Sequence, residues 1–140
     1  MSDLTLLAPL FAHVTLVFWL LMRLGHGRVS TSRAGQVRLR DVALSNDGWP
    51  EQNRKIANNY RNQFELPVLF YAVVILVIVT GTNGPILVAL AWTFVGARIV
   101  HSLIHTGSNR VLHRFYAFIS NVVIMEAMWI VFAAKVIMAE

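Results

Sequence analysis

The chain is 140 residues long, 56% hydrophobic and only 14% charged, with a mean hydropathy of +0.59. That balance excludes an ordinary soluble domain and fits a small polytopic membrane protein, read as one domain over 1–140. The absence of cysteine excludes disulfides, thiolate metal sites and cysteine nucleophiles, and the net charge of +5 is informative only through its distribution.

The first apolar span, 4–24, carries His13 near its middle. Asp3 precedes it where a signal peptide would be basic, and no small-residue cleavage site follows, so it reads as a retained helix. The connection 25–60 mixes turn formers, charges and a Trp49-Pro50 pair suited to the membrane interface. Arg61, Asn62 and Glu65 then stand at the mouth of the second span, 64–80, where charge is costly unless something uses it. Gly81-Thr82-Asn83-Gly84-Pro85 predicts a tight, uncharged turn into the third span, 86–104. Gly107, Ser108 and Asn109 end that span, and the fourth, 115–138, holds Asn121 and Glu126. Each is long enough to cross a hydrocarbon core of about 30 Å at about 1.5 Å per residue. Helix is the state that satisfies a lone segment's backbone in lipid. The predicted fold is an all-α integral membrane protein with four transmembrane helices in a bundle.

Of the 12 lysines and arginines, all but Arg98 and Lys135 flank the first-to-second and third-to-fourth connections. The positive-inside rule makes both connections cytoplasmic and leaves both termini outside. The same asymmetry explains the charge without nucleic acid.

Polar residues in or beside the spans fall into two sets. Arg98, His101 and His105 are spaced i, i+3, i+7 and share one face of the third helix. Arg61 and Glu65, at i, i+4, share a face of the second. With Asn62, Arg110 and Arg114 they make a donor-rich set suited to an anionic, peptide-like ligand, because the arginine fork gives a carboxylate two parallel hydrogen bonds. An Arg98–Glu65 pair joining two helices is the equally weighted structural reading. The deeper set, His13 and Glu126, reads as a mutual hydrogen bond or, more sharply, a proton relay. Asn121 reads as an interhelical hydrogen-bonding residue. There is no phosphate-cradling glycine motif, zinc-binding helix or nucleophile elbow, and the five histidines are too scattered for a metal site.

These residues resemble the MAPEG family, the membrane-associated proteins of eicosanoid and glutathione metabolism, over nearly the whole chain. Arg61-Asn62-x-x-Glu65, followed by a proline and an apolar helix, resembles the family's second-helix motif. The run Arg98-x-x-His101-x-x-x-His105-x-Gly107-x-x-Arg110-x-x-x-Arg114 resembles the third-helix motif of its prostaglandin E synthase branch. Gly35-Gln36-Val37-Arg38-Leu39-Arg40 resembles the cytoplasmic end of that branch's first helix. The chain departs from the pattern at His105, where the branch has tyrosine, at Phe115, where it has serine, and at Asn58, which replaces an arginine. Pro67 lies closer to the glutamate than in that branch, and Arg23 or Arg28 competes with Arg38 for the first-helix position.

The resemblance implies a homotrimer in a bacterial-type inner membrane, with glutathione bound between protomers near the cytoplasmic face. Arg38, Arg61, Asn62, Glu65, Arg98 and His101 then match glutathione contacts, with His105 and Arg110 in the same motif. Arg114 matches the arginine that activates the thiol. The implied activity is a glutathione-dependent transferase or peroxidase acting on lipophilic electrophiles drawn from the lipid bilayer. A catalytically silent scaffold or thiol-ligand binder, and a small proton-coupled transporter using His13 and Glu126, are the rivals.

Overall fold

A computed structural model describes residues 4–138; Asp3, used above to argue against a signal peptide, lies outside the described residues. Five α-helices follow one another: α1 Leu4–Arg33, α2 Glu51–Asn62, α3 Leu66–Thr80, α4 Pro85–Thr106 and α5 Val111–Met138, with a short 3-10 turn at Leu39–Val42. They make four crossings, because α2 and α3 form one nearly continuous span, and all four are apolar and long enough to traverse a membrane. The protein is therefore an integral membrane protein with an all-helical fold.

Helix ends follow local chemistry. α1 runs through Gly25 and Gly27 and stops only where Gly35 adopts a left-handed φ of 70°. There Gly35 N–H donates to the Ser32 carbonyl and Gln36 N–H to that of Thr31, a Schellman closure. The expected end near residue 24 was too early, since helix hydrogen bonding continues as long as nothing forbids it. At 30 residues α1 is about 45 Å long, more than a bilayer core needs, so its basic end extends beyond the apolar part. The expected turn at 81–85 is present: Gly81 takes a φ of 66°, Thr82 N–H closes onto the Val77 carbonyl, and Pro85 opens α4. Between α2 and α3 the chain breaks at 63–65. Pro67 has no N–H to give and restricts the residue before it, and Glu65 leaves helical geometry at φ −96°, ψ −104°.

The connection 25–60 proves to be largely helical. α2 packs against α1 with Leu24, Ile56 and Ala57 buried together. Gly27 permits the approach: a Cβ there would lie 2.6 Å from Asn53 Oδ1. Asn53 Nδ2 donates to Thr31 Oγ1 at 2.9 Å and to the Gly27 carbonyl at 3.3 Å. Trp49 is buried beneath the Arg28 guanidinium, 5.2 Å from its ring centroid, where the sequence suggested a membrane-interface anchor. The main apolar core lies toward the other end, where Phe70, Val73, Val77, Leu87, Phe94, Met125 and Met128 interlock.

Two expected pairs do not form. His13 is fully buried and bonded to Tyr71 and Gln63, whereas Glu126 lies on the exposed outer face of α5. The two face opposite ways, so neither an interhelical pair nor a relay joins them. Nor does Glu65 pair with Arg98: the ion pairs among the described residues are Lys55–Glu51 and Arg40–Asp41. The backbone break at 63–65 leaves Glu65 exposed and gives Arg98 uncharged partners instead. Asn121 is buried, but its amide donates to Ala117 of its own helix rather than across helices.

Candidate functional site

The basic end of the bundle holds an open cavity of about 480 Å³ between the α2–α3 junction, the end of α4 and the start of α5. The helical spacing of α4 puts His101 and His105 on its wall, with ring centroids 5.8 Å apart. Both imidazoles are nearly fully buried, and the Nδ1 of each has no hydrogen-bonding partner. Unsatisfied buried nitrogens are costly, and here two lie just beneath one cavity wall. Arg61, Asn62 and Glu65 line the α2–α3 side, and Arg114 faces them from α5. Asn109, in the left-handed region at φ 49°, accepts a hydrogen bond from Arg114 Nη1 at 2.9 Å and so orients the guanidinium. Val111, Phe115 and Phe118 supply an apolar wall along α5.

Of the residues singled out in the sequence, Arg61, Asn62, Glu65, His101, His105 and Arg114 therefore converge on one cavity. Arg98 does not line it but lies directly behind. The residue is 1% exposed, Nη2 donates to the Asn62 carbonyl at 3.1 Å and Nε to Gln63 Oε1 at 3.4 Å. Arg38 and Arg110 are exposed and stand outside the cavity wall.

The sequence reading passed over the polar group that supports the site. Gln63 is fully buried, and its Nε2 lies within 3.1 Å of both the Asn59 carbonyl and Asn59 Oδ1, and 3.3 Å from Ser102 Oγ. Asn59 and Gln63 are one helical turn apart, a spacing visible in the sequence, but the charged residues around them drew the attention. Asn58, on the cavity wall, appeared only as a departure from a family pattern.

The arrangement offers fixed cations, an acceptor carboxylate, amides and imidazoles beside an apolar wall, which is what a polar, anionic molecule meeting an apolar one requires. No curated protein and no solved structure matches the chain. One family model does, that of the MAPEG family, over residues 6–134. The match takes in every helix that builds the cavity, and the chain belongs to the MAPEG family.

Proposed function

We infer that the protein is a membrane-bound, glutathione-dependent transferase or peroxidase acting on lipophilic electrophiles. The observation that carries this reading is one cavity in which Arg61, Arg114, His101 and His105 face the apolar α5 wall of Val111, Phe115 and Phe118. Glutathione has two carboxylates, an ammonium group, two amides and a thiol. Guanidinium forks suit its carboxylates, Glu65 its ammonium group, and Asn58 and Asn62 its amides.

In this reading Arg114, held by Asn109, stabilises the bound thiolate electrostatically, and the thiol proton leaves through the open mouth of the cavity. The lipophilic substrate approaches from the bilayer along α5. For an aryl halide, the thiolate sulfur bonds to carbon and halide departs with the bonding pair. For a hydroperoxide, the thiolate sulfur bonds to the terminal oxygen as the O–O bond breaks, giving the sulfenic acid and an alkoxide that takes a proton from water; a second glutathione thiol then converts the sulfenic acid to the disulfide and water.

The reading includes a homotrimer in a bacterial-type inner membrane with the basic end cytoplasmic. Glu126 supports an oligomer, because a carboxyl on the outer face of α5 at mid-span is costly against lipid and is relieved by a neighbouring protomer. Arg38 is then assigned to a neighbour's cavity. Reporter fusions at Gly35 and Ser108 are expected to read as cytoplasmic and one at Asn83 as external; a cytoplasmic signal at Asn83 overturns the orientation.

The decisive experiment is a glutathione titration of the purified protein, monitored by ultraviolet thiolate absorbance and followed by an aryl-halide conjugation assay. Saturable thiolate formation with turnover supports the enzyme. Binding without thiolate or turnover makes the protein a thiol-ligand binder, a reading that Phe115 favours because it places no hydroxyl beside Arg114. The absence of binding rejects glutathione.

A further inference from the structure

The geometry points to a cradle of uncharged acceptors, centred on Gln63 and locked by His13 and Tyr71, that holds Arg98 behind the cavity without a direct ion-pair partner, so that its positive charge stays available to an anionic ligand. The functional consequence rests on the glutathione reading; the cradle itself does not.

The hydrogen bonds of this group have only one consistent direction. Arginine donates and never accepts, so the Gln63 atom facing Arg98 Nε at 3.4 Å must be the amide oxygen. The opposite amide orientation sets N–H against N–H there and oxygen against the Asn59 carbonyl at the other end, two repulsive contacts in a dry interior. With the oxygen so placed, Gln63 Nε2 donates toward Asn59 and Ser102. The second lone pair of Gln63 Oε1 meets His13 Nε2 at 3.2 Å, so the imidazole carries its hydrogen on Nε2. His13 Nδ1 is then the acceptor, and Tyr71 donates its hydroxyl hydrogen to it at 2.6 Å. The cation on α4 thus dictates the amide orientation at the α2–α3 junction, the tautomer on α1 and the hydroxyl rotor on α3.

The choice of partners has an electrostatic meaning. A carboxylate would satisfy Arg98 equally well but cancel its charge. The Gln63 amide oxygen and the Asn62 carbonyl satisfy its N–H groups and leave the charge in place. Glu65, the acid that shares this end of the bundle, lies beyond ion-pair distance, is exposed at the cavity and acts on Arg98 only at longer range. In an interior of low dielectric the remaining field acts on the cavity beside it, through the same Asn62 whose carbonyl Arg98 fixes. His13, Gln63 and Tyr71 are positioning residues: they act on a ligand only through Arg98.

Two measurements on the full chain in lipid nanodiscs test the cradle. The first is the nitrogen-15 spectrum of the labelled histidines, with the His13 signals assigned by their loss in His13→Asn. The wild type is expected to show hydrogen on His13 Nε2 and a bare Nδ1, and Arg98→Met, which frees the amide to turn, is expected to show mixed tautomers. Hydrogen on Nδ1 in the wild type, or no response to Arg98→Met, overturns the proposal. The second is Gln63→Glu, which keeps the shape but places a carboxylate beside Arg98. Its second oxygen faces the Asn59 carbonyl where the amide donated, so it is expected to fold with a somewhat lower Tm and to bind glutathione at least about tenfold more weakly, with the loss in KM rather than kcat. A merely structural Gln63 predicts no such split, and wild-type affinity in Gln63→Glu overturns the electrostatic role. Should wild-type protein bind no glutathione, the functional reading fails, while the histidine spectrum still decides the cradle.

Discussion

The two ends of this bundle are held together by different physics. Toward the α3–α4 turn, Val73, Val77, Leu87 and Met128 interlock, and the Phe70–Phe94 stack, 4.8 Å between centroids, closes this apolar group against His13. Toward the basic end, Asn59, Gln63, Arg98, Ser102 and His13 are as deeply buried but are joined by directional hydrogen bonds. Lipid is as apolar as the first group, so burial there gains little and shape complementarity does the holding. Many substitutions preserve shape. In the second group the contacts are directional, and removing a member strands its partners in a medium that offers no water. The apolar end can therefore drift in sequence while the polar end cannot, and the polar end is the one that carries the cavity.

The largest expected effect sharpens this contrast by separating chemistry from fold. Arg114→Ala should lower thiolate formation and aryl-halide conjugation by about 10²-fold, the scale of losing one preorganised electrostatic contact. Its partner Asn109 lies in a partly exposed loop, so Tm and oligomeric state should hardly change. Full conjugation activity in this variant would remove Arg114 from the mechanism.

Next in size is a matched pair of substitutions, one in each group. Gln63→Leu strands Arg98 Nε, His13 Nε2 and Ser102, and should cost about 2 kcal/mol or more in reversible unfolding. Phe70→Leu, equally buried but apolar to apolar, should cost about 1 kcal/mol. Equal losses would break the distinction between the two ends.

A smaller effect probes the α1–α2 contact. Gly27→Ala places a methyl group where Asn53 Oδ1 now sits, so Asn53 must give up its bonds to Thr31 and Gly27. About 1 kcal/mol of stability should be lost, with glutathione affinity unaffected because neither residue lines the cavity.

The smallest expected quantity is a coupling. Because Glu65 and Arg98 act on each other only at longer range than an ion pair, Glu65→Gln and Arg98→Leu should couple by no more than about 1 kcal/mol in a thermal-unfolding cycle. Marked sub-additivity would mean that the two charges meet after all.

Sequence alone determined the membrane character, the four crossings and the turn at Gly81, because these depend on local properties: run length, hydropathy and a residue able to take a left-handed φ. It also brought Arg61, Asn62, Glu65, His101, His105 and Arg114 into one candidate set, since helical spacing fixes which residues share a face. The partners of the buried groups were beyond its reach. His13 and Glu126 occupy similar depths in their spans, but depth does not say which way a helix face turns, and the packing sends one inward and the other outward. Glu65 and Arg98 carry opposite charges, yet the break imposed by Pro67 diverts the carboxylate and leaves amide and carbonyl oxygens in its place. Helix formation is a property of consecutive residues, whereas a hydrogen-bond partner is selected by the relative rotation of several helices, and that rotation is settled only when all of them pack at once.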